Sequence, residues 1–220
     1  MEHLQAEMDA LRNEMLEMYN LVLSQVERAQ TALIDTNLSV IKEIGSNEKL
    51  VNAKELQIDS RCETILALFT PVAVDLRFVL SALKININLE RIGDIADNIA
   101  RTMSHTKPGF DQELLEKVNA KGAFTMLLEM YKSLLQAFEK EDTLLARDIL
   151  IRDEAIDSIT EEAITITEEY TRSKPDSIGQ IVPLISIMKM LERIGDHLKN
   201  IAEEIIFYAE ARVLKHSSPK

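Results

Sequence analysis

From Leu4 onward apolar residues recur every three or four positions, at Leu4, Met8, Leu11, Met15, Met18, Val22, Val26, Ala29 and Leu33. That period belongs to a helix with one buried face. It predicts one long helix reaching about Ile44 and stopped by Gly45-Ser46-Asn47. Asn47 is then placed to cap a second helix over 48–68, along which Leu50, Ala53, Leu56, Ile58, Cys62 and Ile65 fall. Thr70-Pro71 reads as a restart, with threonine as cap and proline at the first helical position, where its missing N–H is not needed. The third helix runs on to about His105.

After Lys107-Pro108-Gly109 the same kind of pattern begins again. Asp111 can cap a fourth helix bearing Leu114, Val118, Phe124, Leu127, Tyr131, Leu134 and Phe138, and Asp142 a fifth that reaches about Tyr170. Ser173-Lys174-Pro175-Asp176 punctuates the chain before a sixth helix, from near Ser177 to about Leu214. Pro183 either kinks that helix or sets its true start, and His216–Lys220 is expected to fray. The expected fold is all-α, with six helices forming two pseudosymmetric three-helix bundles side by side. Residues 1–107 make the first repeat and 108–220 the second.

One stretch carries the evidence of duplication. Leu89-Glu90-Arg91-Ile92-Gly93-Asp94-Ile95-Ala96-Asp97-Asn98-Ile99-Ala100 returns as Leu191-Glu192-Arg193-Ile194-Gly195-Asp196-His197-Leu198-Lys199-Asn200-Ile201-Ala202. At helical pitch Glu90, Asp94, Asp97 and Asn98 share a face, as do Glu192, Asp196, Asn200 and Glu203. The preceding helix of each half carries its own pair four apart, Glu55 with Asp59 and Asp153 with Asp157. Adjacent acidic helices would bring four or five carboxylates together, and such a group needs cations or arginine partners to stay charged in a low dielectric.

Two readings answer that need. Multinuclear metal clusters would be held by Glu55, Asp59, Glu90, Asp94 and Asp97 in one half, and by Asp153, Asp157, Glu192, Asp196 and Glu203 in the other. Oxygen donors without sulfur favour Mg, Mn, Ca or Fe. Alternatively Arg91, Arg193, Lys54, Lys84 and Lys199 serve as counterions to solvated acidic faces. His197 is a rim ligand or an ordinary surface residue, while Gly93 and Gly195 allow a close approach or are tolerated accidents.

The net charge of −12 argues against a nucleic-acid or anionic-membrane surface. Six glycines, five prolines and no tryptophan suit helices. A single cysteine, Cys62, excludes an internal disulfide framework and reads as buried filler rather than a nucleophile. The start lacks a signal-peptide pattern, and no apolar run approaches the roughly 18 residues of a membrane span. A cytoplasmic protein without direct membrane insertion is expected. Phosphate loops of the Walker type, Cys-x-x-Cys and His-Glu-x-x-His are all absent, so the chain reads as non-enzymatic.

The two acidic repeats, with Pro71-Val72-Ala73-Val74-Asp75-Leu76-Arg77 before the first and Asn200-Ile201-Ala202-Glu203 closing the second, resemble the PhoU family of phosphate transport and phosphate regulon regulators. The resemblance covers essentially the whole chain. It implies paired three-helix bundles, often dimeric, and multinuclear iron or zinc clusters on the Glu/Asp-x-x-x-Asp pairs. It also implies down-regulation of phosphate uptake and phosphate-starvation signalling. The partners so implied are the ATPase subunit of a phosphate ABC transporter and a membrane sensor histidine kinase, to which the protein is peripherally recruited. Alternatives are a metal-dependent phosphohydrolase using the paired carboxylates and a metal-free helical scaffold. Arg101 stands where the second repeat has Glu203, and Ile95 where it has His197, so unequal sites are expected.

Overall fold

The computed structural model describes residues 2–35, 37–106 and 109–211. Helix α1 (Glu2–Ile34) buries Met8, Leu11, Met15, Met18, Tyr19, Val22, Val26, Ala29 and Leu33, the face its periodicity predicts. It stops well before Gly45. Asn37 Oδ1 accepts from the Ser39 N–H at 3.2 Å and the Ser39 hydroxyl at 2.6 Å, a local turn that competes with helix continuation. A short 3₁₀ turn (Leu38–Val40) leads into α2 (Ile41–Phe69), so Gly45 and Asn47 lie inside this second helix. Asn47 caps nothing there; its Nδ2 donates to the Leu21 carbonyl on α1 at 2.9 Å.

Thr70 closes α2 in the left-handed region (φ 44°), and α3 (Ala73–His105) starts after Val72 rather than at Pro71. The expected Thr70-Pro71 start is therefore displaced by two residues, because Thr70 serves the helix before it. Asp111 caps α4 (Gln112–Lys117) through the Glu113 N–H, as its position predicts. The chain then turns at Asn119 (φ 52°), whose side chain lies over Gly122, before α5 (Ala120–Lys140). A Cβ at Gly122 would press on the Asn119 side-chain amide, which would have to move. The fourth predicted helix is thus one short and one long segment.

Asp142 caps α6 (Thr143–Ser173) by accepting from the Leu144 and Leu145 N–H groups. The last helix, α7 (Ile178–Glu210), carries Pro183 within its second turn. The predicted end near Leu214, the frayed tail and the Lys107-Pro108 boundary lie outside the described residues.

Helices α1, α2 and α3 pack on one another, as do α5, α6 and α7; α3 lies along α7 and α1 along α5. Arg77 meets Tyr208, Lys84 meets Glu204 and Asn88 meets Asn200, so α3 and α7 run antiparallel. Tyr19, Phe78, Tyr131, Phe138 and Tyr208 form one aromatic cluster from α1, α3, α5 and α7, with centroids 5.1–6.4 Å apart. The Tyr131 hydroxyl donates to the Tyr19 carbonyl at 2.8 Å, which satisfies it without solvent. Among the described residues no helix is long and apolar enough to cross a membrane.

Candidate functional site

In the first half, α2 and α3 bring their acids within electrostatic reach of each other. Burial, and then the Asp94 charge, push the Glu90 carboxyl up to about 7; Arg91 opposes this, and Glu55 and Glu48 add to it. Glu55 is likewise raised by burial and then by Asp59. Asp59 accepts from Asn86 Nδ2 at 2.9 Å, and the same amide donates to the Glu55 carbonyl at 3.0 Å. Arg91 lies 3.5 Å from Glu90 and 3.6 Å from Asp94, while Arg101 pairs with buried Asp97 at 2.6 Å.

Glu48 belongs to this group and was not foreseen. It is buried, receives Gln25 Nε2 at 2.9 Å, and is held above the usual carboxylate range by burial, with Asp94 and Asp97 adding to it. A helix starting at Glu48 makes that residue a first-turn acid at an end. In the true α2 it lies two turns before Glu55 on the same face, a spacing that could have revealed it.

In the second half, Asp153 is 1% exposed and accepts from Lys199 Nζ at 2.7 Å. Asp157 and Asp196 are both raised, first by burial and then by the Asp153 charge, with Lys199 opposing. Lys189 pairs with Glu192 at 2.6 Å. Glu203 is half-buried and joins none of these groups by a hydrogen bond or ion pair. The halves also differ within the repeat, since Lys199 occupies the place of Asp97 and brings its own cation.

The repeated glycines face neighbouring helices, Gly93 toward α1 and α2 and Gly195 toward α6. A Cβ on Gly93 would fall 2.8 Å from Gln25 Oε1 and 3.3 Å from Val51 Cγ1; one on Gly195 would fall 3.0 Å from Asp153 Oδ1. In both copies the missing side chain leaves room for a polar side chain of a neighbouring helix, Gln25 in one and Asp153 in the other.

The expected metal clusters are overturned. Among the described residues no group of three or more His, Cys, Asp or Glu side chains is arranged to hold a metal ion. Glu55, Asp59, Glu90, Asp94 and Asp97, and Asp153, Asp157, Glu192 and Asp196, lie near one another without forming a ligand set for iron, zinc, Mg, Mn or Ca. Their charge is met instead by Arg91, Arg101, Lys189 and Lys199 and by the Asn86 amide. Of the other predicted counterions, Lys54 serves Glu17 and Lys84 serves Glu204.

Between the halves, His197 Nδ1 lies 2.9 Å from Asn88 Oδ1, which also accepts from Asn200 Nδ2 at 3.3 Å. Burial, Arg193 and Arg91 together lower the affinity of His197 for a proton.

An all-α protein with a duplicated three-helix unit and ion-paired acidic faces is the class so defined. A sequence model described as the PhoU domain matches residues 15–103 and again 122–205. The chain belongs to the PhoU family. It is 33% identical over 216 residues to a phosphate-specific transport system accessory protein PhoU homolog of Pseudomonas putida, covering 98% of this chain and 84% of that one. The PhoU accessory protein of Escherichia coli K12 is 31% identical over 211 residues, covering 96% and 87%. The crystal structure of PhoU from Pseudomonas aeruginosa superimposes with a TM-score of 0.85 at 32% identity, covering 94% and 99%. The phosphate transport system regulatory protein PhoU of Streptococcus pneumoniae gives 0.82 at 26% identity, covering 96% and 98%.

Proposed function

We propose that this chain is a non-enzymatic regulator of phosphate transport, acting in the cytoplasm and recruited peripherally to membrane complexes. It holds down phosphate uptake and phosphate-starvation signalling by associating with the ATPase subunit of a phosphate ABC transporter and with a membrane sensor histidine kinase. The observation that carries this reading is the match along nearly the whole chain to accessory proteins of phosphate-specific transport, with the family model recurring in each half. Residues 1–107 and 108–220 are two copies of one ancestral unit in this reading, and the protein works as a homodimer. The acidic faces are suited to a basic partner surface, because a cation from another protein can replace Arg91 or Lys189 without new desolvation of a bare carboxylate.

The test is deletion of the gene in phosphate-replete cells, with radiolabelled phosphate uptake and a phosphate-starvation reporter as readouts. Both should rise and return to baseline on complementation, and the ATPase and kinase should co-purify with the tagged chain. Unchanged uptake and reporter output would overturn the regulatory reading. Light scattering of the purified protein tests the dimer separately.

A further inference from the structure

The cations of the acidic faces are paired with carboxylates, whereas the seam between the two repeats holds a cation, Arg193, with no ion pair among the described residues. Because α3 and α7 run antiparallel, Arg91 and Arg193, the equivalent positions of the two repeats, both lie within electrostatic reach of His197. A cleft of about 450 Å³ opens on α7 there, lined by Arg193, Asp196, His197, Lys199 and Asn200. Arg91 on α3 is not part of the lining but acts electrostatically on His197. Lys199 is committed to Asp153, and Arg91 is loosely paired with Glu90 and Asp94. Arg193 is exposed and makes no hydrogen bond or ion pair among the described residues.

The polar atoms of this cleft are ordered. Asn88 Oδ1 holds both His197 Nδ1 and the Asn200 amide, which leaves His197 Nε2 as the uncommitted ring nitrogen. The lining thus combines cations (Arg193, Lys199, and Arg91 beside them) with two acceptors, a neutral imidazole nitrogen and the Asp196 carboxylate. Cations alone would take any anion. Acceptors beside them repel an anion with no hydrogen to give, and reward one that carries an O–H.

We infer that the cleft lined by Arg193, Asp196 and His197 on α7, beside Arg91 of α3, binds inorganic phosphate. The guanidinium of Arg193 matches two phosphate oxygens. The P–OH of hydrogen phosphate donates to Asp196 or to His197 Nε2. Sulfate has no such hydrogen near neutral pH, and a phosphate monoester, whose second proton leaves near pH 6, has lost its own at pH 7.5. The cleft is therefore selective for the free ion over both. The choice of phosphate rests on the regulatory reading above, while the presence of an anion site rests on the geometry alone.

Isothermal titration of the full-length protein at pH 7.5 and constant ionic strength, in a buffer free of oxyanions, decides the matter. Inorganic phosphate should bind saturably, and phenyl phosphate and sulfate at least tenfold more weakly. Arg193→Gln should weaken phosphate binding at least tenfold with little change in melting temperature, since that arginine is exposed and makes no hydrogen bond or ion pair among the described residues. Asp196→Asn should narrow the preference for phosphate over sulfate. Arg152→Gln, a surface residue paired with Asp148 at 2.7 Å, is the control and should leave binding as it was. No saturable phosphate heat, or an Arg193→Gln protein that binds like the parent, overturns the site. Sulfate or phenyl phosphate binding as tightly as phosphate overturns its assignment to the free ion. Because no partner is present, any of these failures leaves the association with transporter and kinase standing, and loss of that association leaves the titration result standing.

Discussion

Lys199 Nζ on α7 lies 2.7 Å from Asp153 Oδ2 on α6, and Asp153 Oδ1 has no hydrogen-bond partner among the described residues. The carboxylate is buried while the lysine is 42% exposed, so the pair holds one charge in the interior and one at its edge. Breaking a fully buried pair costs about 3–5 kcal/mol, and the exposure of the lysine reduces this to about 2 kcal/mol here. Lys199→Met should lower the urea midpoint accordingly. Adding Asp153→Asn should recover part of the loss, because an amide needs no counterion. A double variant no more stable than Lys199→Met alone would show that charge burial is not the cause.

Gly93 and Gly195 occupy equivalent places yet face different surroundings. Alanine in a helix interior gains about 1 kcal/mol over glycine. At Gly93 its Cβ would displace Gln25 Oε1, 2.8 Å away, and with it the buried Gln25–Glu48 hydrogen bond, worth about 1.5–3 kcal/mol with a charged partner. Gly93→Ala should therefore destabilise by about 1 kcal/mol net. Gly195→Ala is tight only against Asp153 Oδ1, at 3.0 Å, with Ile156 in ordinary contact, and should cost less. Equal shifts in chemical unfolding of the two variants would contradict this.

The Glu90 carboxyl, pushed up to about 7 by burial and by Asp94, makes stability depend on pH in a stated direction. An acid raised in the folded state holds its proton more tightly there than in the unfolded chain. Its charge opposes folding above pH 7, and the opposition fades as pH falls from about 7 toward the unfolded value of about 4.5, below which both states are protonated. Glu90→Gln should raise the melting temperature at pH 8 and change it little at pH 4.5. A stabilisation of the same size at both pH values would sink the account.

Cys62 is fully buried, and burial, with Asp59 and Glu14 adding, pushes its thiol up to about 12. The thiolate is the reactive form, so the folded protein should resist a thiol reagent at pH 8 and react fully in denaturant. Stoichiometric labelling of native protein within minutes would show that the helix pair opens readily at this point.

The helices were legible because each buries one face, and period alone reveals a buried face. Their joints were less so. Asn37 and Asn119 break the chain through side-chain turns and a left-handed backbone, choices that periodicity does not register. The duplication and the paired acids were visible, and so was the family. Misplacing the start of α2 hid Glu48, since its role follows from lying two turns before Glu55 on one continuous helix.

Which cation answers which carboxylate was decided only by the packed structure. Helical spacing assigns a residue to a face, but the partner of Asp153 comes from the angle and depth at which α7 crosses α6, and Lys199 and Arg193 were interchangeable candidates until then. The carboxylates predicted to gather metal are instead spaced and paired by such crossings. The electrostatic reach of both Arg91 and Arg193 to His197 at the seam has the same origin. Sequence determined that the halves repeat; the antiparallel contact of α3 and α7 determined that their repeated arginines both act on His197.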